Sequence, residues 1–212
     1  MRKILISLLV LLFNHLYAQV LEEEQFDKEP QDLFELNVNG RTFQMVEGRV
    51  LKIDSLIRPQ MHVLLLPEKK FENSFCSFQY NRRMYFGYEA NGDVRTWTLN
   101  GPNASIMLFD WPIAGNLFDL AKAAISKFPQ ANCTVSDTTV EFGGRTLRGK
   151  VIDIEMPNQH IRQEYYTVEF VKGGGGYILL EDVMFGNYHS CEYTRFLDRF
   201  QASLIFKAKV KR

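Results

Sequence analysis

The chain has 212 residues, of which 46% are hydrophobic and 24% are charged, and its 25 basic and 25 acidic residues leave no formal net charge at pH 7. These proportions are typical of a globular protein and exclude a chain that is disordered throughout. Without an excess of basic residues, the chain has no electrostatic field to attract a nucleic acid or an anionic membrane surface. We therefore expect neither of these partners.

Residues 1–18 have the pattern of a secretory signal peptide. Two basic residues, Arg2 and Lys3, precede the apolar run from Ile4 to Phe13, and Ala18 is followed by Gln19 and an acidic segment. Signal peptidase cuts after a small residue in this setting, so we expect cleavage between Ala18 and Gln19. A buried core helix or a membrane anchor is the alternative, but the run is shorter than the roughly 20 apolar residues that span a bilayer. We expect a periplasmic or extracellular protein with no stable membrane span after cleavage.

The expected mature chain divides into a leader, one domain and a tail. Residues 19–32 are acidic, lack hydrophobic periodicity and contain Pro30, which indicates a flexible acidic leader. Residues 33–209 have the length of a single domain. Residues 210–212 form a basic tail. The charged ends are either solvated termini or interaction segments.

Strand patterns dominate the first half of the domain. Leu33–Val38 and Arg41–Val46 flank Asn39 and Gly40, a strong signal for a two-residue hairpin because both central positions tolerate positive φ. A third strand begins at Met61 and ends before Pro67. Period-two alternation between turns then indicates a meander of antiparallel strands. Its predicted strands are Phe75–Tyr80, Met84–Glu89, Val94–Leu99 and Ser105–Trp111.

The aromatic residues of this meander allow two interpretations. They are dense enough to line a pocket for an apolar small ligand. They are also the side chains that a sheet beneath a helix needs for its core, and burial statistics favour the core. The residues in question are Phe75, Phe78, Tyr80, Tyr85, Phe86, Tyr88, Trp97, Phe109 and Trp111.

Two amphipathic helices are predicted in the second half. From Leu117 to Phe128 apolar residues recur at spacings of three and four, with Asn116 as cap and Pro129 as stop. Ser190 caps a second helix with the same spacing. Four strands lie between the helices and a short one, Ile205–Lys209, follows the second. The four are Thr134–Phe142, Thr146–Met156, Gln163–Val171 and Tyr177–Phe185.

The order of these elements predicts the fold class. Hairpin-length links between strands require a mostly antiparallel sheet, because parallel neighbours need long crossovers. A helix with one apolar stripe must cover a sheet face. We therefore expect an α+β fold, in which a mostly antiparallel β-sheet is covered by two amphipathic helices as a helix–sheet–helix sandwich.

Three cysteines, Cys76, Cys133 and Cys191, would meet an oxidising compartment after export. Cys76 lies in an aromatic strand, where a free thiol behaves as a small apolar group. Cys133 and Cys191 lie beside helix ends and are the favoured disulfide pair, although spacing does not fix connectivity. Three unpaired cysteines are the alternative.

Strand carboxylates are candidates for acid–base chemistry. Asp153 and Glu155 share one face of a strand, and Glu169 and Glu181 lie on neighbouring strands. Paired carboxylates at such spacing can hydrolyse glycosides. A solvated, charged strand face, neutralised by bases such as Lys150, is the favoured interpretation.

His189 and Cys191 are candidates for a base and a thiol nucleophile. His189 and Cys191 flank the start of the second helix, and Asp182 or Asp198 could orient the histidine. A structural cysteine is favoured, because residues two apart at a helix entry seldom face each other. The histidines are scattered, so no metal and no cofactor is expected.

The C-terminal half resembles the PsbP-like superfamily. The resemblance rests on Tyr165–Phe170, a glycine-bearing turn, Gly176–Leu180 and the closing run Arg195–Lys207. That superfamily includes extrinsic photosystem subunits, a Ran-binding import factor and small bacterial exported proteins. The resemblance implies an antiparallel sheet with helices on both sides, and binding or assembly rather than catalysis. No binding residue of that family matches position by position.

Together these patterns predict an exported, non-enzymatic binding or assembly domain of the cell envelope. Its expected partner is another envelope protein or an apolar small ligand. The alternative is a secreted hydrolase that uses Asp153, Glu155, Glu169 and Glu181.

Overall fold

The computed structural model describes residues 27–51, 60–111, 116–169 and 175–207. The expected signal peptide, its cleavage site at Ala18 and Gln19, most of the acidic leader and the basic tail therefore lie outside the described residues. Within the leader, Glu29 and Asp32 both bind Lys69, at 2.7 and 3.4 Å, so these two leader residues contact the domain.

The described residues form twelve strands and two helices. The strands are β1 (Asp32–Val38), β2 (Arg41–Val46), β3 (Met61–Glu72), β4 (Cys76–Asn81), β5 (Tyr85–Asn91), β6 (Val94–Asn100), β7 (Ala104–Trp111), β8 (Asn132–Phe142), β9 (Arg145–Met156), β10 (Gln159–Glu169), β11 (Gly175–Met184) and β12 (Ile205–Phe206). The helices are α1 (Leu117–Ile125) and α2 (Cys191–Ser203).

The strands form two antiparallel sheets. The first has the order β12-β4-β3-β1-β2 and the second has the order β5-β6-β7-β11-β10-β9-β8. In the larger sheet, the meander β5–β7 meets the meander β8–β11 where β7 pairs with β11. The first hairpin closes on Asn39 and Gly40, whose φ values of 50° and 81° are those that its two-residue turn requires.

The main core lies between the two sheets and α2. Phe71 of the smaller sheet packs edge-on against Trp97 of the larger one, with ring centroids 6.3 Å apart. Phe200 of α2 is fully buried and touches Phe78 of one sheet and Phe142 of the other. A second, smaller core lies under α1 on the opposite face of the larger sheet, where Ala121 and Ala124 meet side chains of β9, β10 and β11.

The expected fold class was wrong. Strands make up 61% of the described residues and helices only 13%, so the described part of the protein is a β-rich, two-sheet structure rather than an α+β helix–sheet–helix sandwich. The predicted strands are present within the described residues, but β4 pairs with β3, and β12 pairs with β4, in a separate sheet instead of continuing the sheet of β5–β7. Hairpin patterns define neighbours in sequence, whereas the division into two sheets is decided by packing between distant strands.

Neither helix of the described ranges is long and apolar enough to cross a membrane.

Candidate functional site

Among the strand carboxylates whose side chains are described, Asp153 and Glu181 lie on opposite faces of the larger sheet. Asp153 lies on the face of the larger sheet toward α2, where Arg162 Nη1 donates to both of its oxygens at 3.2 and 3.3 Å. Glu181 is two residues from Leu179, which packs under α1, so both side chains lie on that face of the sheet, opposite to Asp153. Glu181 accepts a hydrogen bond from Gln163. Glu155 is near the end of β9, beside Asn132. The side chain of Glu169 is outside the described residues.

His189 and Asp182 form a close pair at the start of α2. Asp182 is fully buried and accepts hydrogen bonds from His189 Nδ1 at 2.8 Å and from the backbone N–H of Ser190. An ionised carboxylate only accepts, so Nδ1 carries the hydrogen in this pair. Ser190 in turn caps α2 by accepting from the N–H of Tyr193. The pair therefore connects β11 to the first turn of α2.

This pair continues into a polar cluster on the same sheet face. Glu164 accepts from Tyr166 Oη at 2.6 Å and from Arg162 Nε at 2.9 Å, and Arg162 binds Asp153. The Tyr193 hydroxyl is buried beside these groups without a hydrogen-bond partner among the described residues. Burial, and then the charges of Glu164 and Asp182, raise the pKa of Tyr193 well above its usual value, so this phenol stays neutral.

His160 is a further member of the polar cluster, near one end of the larger sheet. Its Nδ1 lies 3.0 Å from the carbonyl oxygen of Gly186 and its Nε2 lies 3.3 Å from Asp153 Oδ1. Both partners are acceptors, so a ring nitrogen that carries a hydrogen donates to the acceptor beside it. The contact holds the turn between Phe185 and Tyr188, two aromatic side chains that are 63% and 79% exposed.

The polar cluster connects neighbouring strands of the larger sheet to the start of α2. Its charged groups are paired with one another across β9, β10, β11 and the start of α2. Throughout the described ranges, no three His, Cys, Asp or Glu side chains are placed to hold a metal ion. The partner of His189 is the carboxylate of Asp182, whereas Cys191 is exposed on the first turn of α2.

The disulfide favoured by the sequence is not formed in the structure. Cys133 and Cys191 are both free thiols, and so is Cys76. Cys133 packs against the core under α1, whereas Cys191 begins the helix that packs on the opposite face of the larger sheet. Cys76 is fully buried, and this burial raises the pKa of its thiol far above the usual value.

Four of the nine aromatic side chains of the meander are buried in the main core, whereas Tyr85 is 72% exposed. Phe75, Phe78, Tyr80 and Trp97 are all buried in the main cluster between the sheets. A groove of about 350 Å³ beside β4 and the end of α2 is lined by polar residues such as Lys70, Gln79 and Ser203 together with apolar ones such as Phe78 and Ile205.

An apolar surface lies where the smaller sheet extends beyond the core. Directly opposed residues of an antiparallel pair share a face, and the registers of β1 with β2 and of β1 with β3 place eight apolar residues on one face. We call this face the apolar overhang. It consists of Phe34, Leu36 and Val38 of β1, Phe43 and Met45 of β2, and Met61, Val63 and Leu65 of β3.

The overhang is buried at its centre and exposed along β3. Leu36 and Val38 are buried, although neither belongs to the two core clusters. Met61, Val63 and Leu65 are 56%, 65% and 38% exposed. Large apolar side chains exposed side by side mark contact surfaces more often than isolated ones do.

The sequence contained signals for both features, but neither was interpreted. Arg162 and Glu164 are two residues apart on β10 and therefore share a face. The partner of Arg162, Asp153 on β9, becomes evident only from the strand register. Met61, Val63 and Leu65 belong to the apolar run that the sequence shows before Pro67. Their exposure depends on where the opposing sheet ends, which the pattern does not encode.

No protein-family model matches the chain, and no curated protein matches it either.

Proposed function

We propose that this protein is an exported, non-enzymatic binding or assembly protein of the cell envelope, which contacts a partner protein through the apolar overhang. The observation that carries the proposal is the row of Met61, Val63 and Leu65 on β3, which are exposed although they share a sheet face with the buried Leu36 and Val38. The signal-peptide pattern of residues 1–18 supports export. The resemblance to PsbP-like proteins adds an expectation of binding or assembly.

The arrangement of polar groups favours binding over hydrolysis. Asp153 is neutralised by Arg162, and Glu181 lies on the opposite face of the sheet. A glycosidase needs two carboxyl groups about 5 to 9.5 Å apart across one substrate cleft. A protein partner is also favoured over an apolar small ligand, because the aromatic side chains that would line a pocket are packed in the core.

Site-specific photo-crosslinking in the native host tests the proposal. A photoreactive amino acid replaces Val63, and in a matched control it replaces Val135, an exposed valine of β8 in the other sheet. We expect a discrete adduct with a second protein at position 63 and none at position 135. Equal adduct patterns at both positions, or adducts that contain only two copies of this chain, would contradict a separate partner at the overhang.

A further inference from the structure

The outer edge of β2 has the features of a strand that pairs with another strand. Among the described strands, β2 is the last one of the smaller sheet. Natural edge strands are usually protected by charges, prolines, bulges or shortness. Of the other edges, β5 carries Glu89, β8 carries Asp137 and Glu141, and β12 has two residues. From Thr42 to Val46, β2 has no charge and no proline.

The hydrogen-bond pattern of the first hairpin shows which groups of β2 face outward. In a two-residue hairpin the closing residues, Val38 and Arg41, form a hydrogen-bonded pair, and such pairs then alternate along the strands. The N–H of Glu47 donates to Asp32 O at 2.9 Å, which is the position this alternation requires. The N–H and C=O groups of Thr42 and Gln44 therefore point away from β1, and so does the N–H of Val46, whose C=O accepts a hydrogen bond from the N–H of Arg49 at 3.2 Å.

We propose that β2 pairs antiparallel with β2 of a second copy of this chain, around a twofold axis at Gln44. A twofold axis requires that the same surface be complementary to itself. With Gln44 of one copy opposite Gln44 of the other, Thr42 of each copy lies opposite Val46 of the other, and Phe43 lies opposite Met45. This register also uses the full length of the strand and joins the outward-facing backbone groups to one another.

Charge complementarity at the strand ends selects this register. With Gln44 on the axis, Arg41 of each copy lies opposite Glu47 of the other, so the dimer contains two pairs of opposite charge. A shift of one residue along each strand toward the C-terminal end would instead place Arg41 opposite Arg49. Phe43 and Met45 belong to the apolar overhang, so pairing in this register makes the two overhangs one continuous surface.

The proposal goes beyond the function proposed above and does not depend on it. The pairing uses the backbone edge of β2, whereas the partner contact uses exposed side chains of β3. Loss of the dimer with retention of the Val63 adduct would separate the two ideas, and so would the reverse result.

A charge-reversal cycle tests the register. The full-length chain is expressed and the purified protein is analysed by sedimentation equilibrium, where we expect a dimer. Arg41→Glu and Glu47→Arg should each weaken dimerisation about tenfold, because two ion pairs become two repulsions. The double variant should restore the dimer. A monomeric wild-type protein, or a double variant as weak as the single ones, would overturn the proposal.

Edge substitution and cross-linking provide independent measurements. Gln44→Lys should abolish the dimer, whereas Thr139→Lys on the edge strand β8 should not, and circular dichroism verifies that both fold.

Gln44→Cys should form an interchain disulfide on mild oxidation, because opposed residues of a hydrogen-bonded pair have Cα atoms about 5.5 Å apart. Thr42→Cys should not form one. Equal cross-linking at positions 42 and 44 would contradict a twofold axis at Gln44.

Discussion

At position 149 the absence of a side chain allows an aromatic ring to lie across β9. Gly149 is opposite Tyr166, and a Cβ atom at position 149 would lie 2.6 Å from Tyr166 Cδ1 and 2.5 Å from the carbonyl oxygen of Tyr165. The ring position matters, because it directs the Tyr166 hydroxyl to Glu164 in the polar cluster.

We expect Gly149→Ala to lower the free energy of unfolding by about 1–3 kcal/mol, the usual effect of overpacking a well-packed core. Gly87→Ala on β5 is the matched control. A Cβ atom there would meet nothing closer than 3.8 Å, so the change should be nearly neutral. Urea titration of both variants measures the difference. Similar stabilities for the two would show that the Tyr166 ring does not need this space.

The three cysteines should differ sharply in reactivity. Cys191 is exposed, Cys133 is half-buried and Cys76 is fully buried with a raised thiol pKa. Because the thiolate is the reactive form, we expect a maleimide to label Cys191 first and Cys76 only after unfolding. Mass spectrometry of timed samples without reductant provides the measurement. If Cys133 and Cys191 both resist labelling until reductant is added, they are joined as the sequence suggested.

Helix α2 connects the two sheets, whereas α1 covers part of one outer face. Phe196 and Phe200 of α2 are buried in the main core, and Phe200 contacts rings from both sheets. α1 contributes mainly two buried alanines, and its Phe118 is 60% exposed. The two helices therefore have different importance for stability, although both have an apolar stripe.

Phe200→Ala should lower the free energy of unfolding by about 3–5 kcal/mol, because it removes a fully buried ring and leaves a cavity. Phe118→Ala should change it by less than about 0.5 kcal/mol, as expected at an exposed position. Chemical denaturation followed by tryptophan fluorescence measures both. A small effect at Phe200 would contradict the role of α2 in joining the sheets.

Local elements were largely predictable because their signals are local. The Asn39-Gly40 turn and the caps Asn116 and Ser190 are confirmed. β3 was predicted to end before Pro67, but it continues to Glu72. The register of β3 with β1 shifts between Asp32 and Phe34. This irregularity accommodates Pro67, which has no N–H to donate to a regular ladder.

The division into two sheets and the polar cluster were not predictable in the same way. β12 pairs with β4 across more than a hundred residues, and hydrophobic patterning contains no information about such pairing. The cluster depends on the register of β9 with β10, which brings Asp153 opposite Arg162. Each residue alone resembles an ordinary exposed charge.

For the molecule as a whole, two surfaces remain distinct. The polar cluster at the end of the larger sheet contains ionisable side chains that pair with one another, and it contacts the start of α2. The overhang of the smaller sheet consists of apolar side chains that extend beyond the core. Since buried polar networks stabilise and exposed apolar strands associate, we assign binding to the overhang.

Hydrogen–deuterium exchange, compared between the purified protein and the protein in an envelope extract of its host, tests this assignment most directly. We predict that the extract slows exchange at residues 61–65 of β3, and leaves residues 185–189 unchanged. Protection of residues 185–189 together with β10, and none at residues 61–65, would contradict the assignment and would identify the polar cluster as the contact surface.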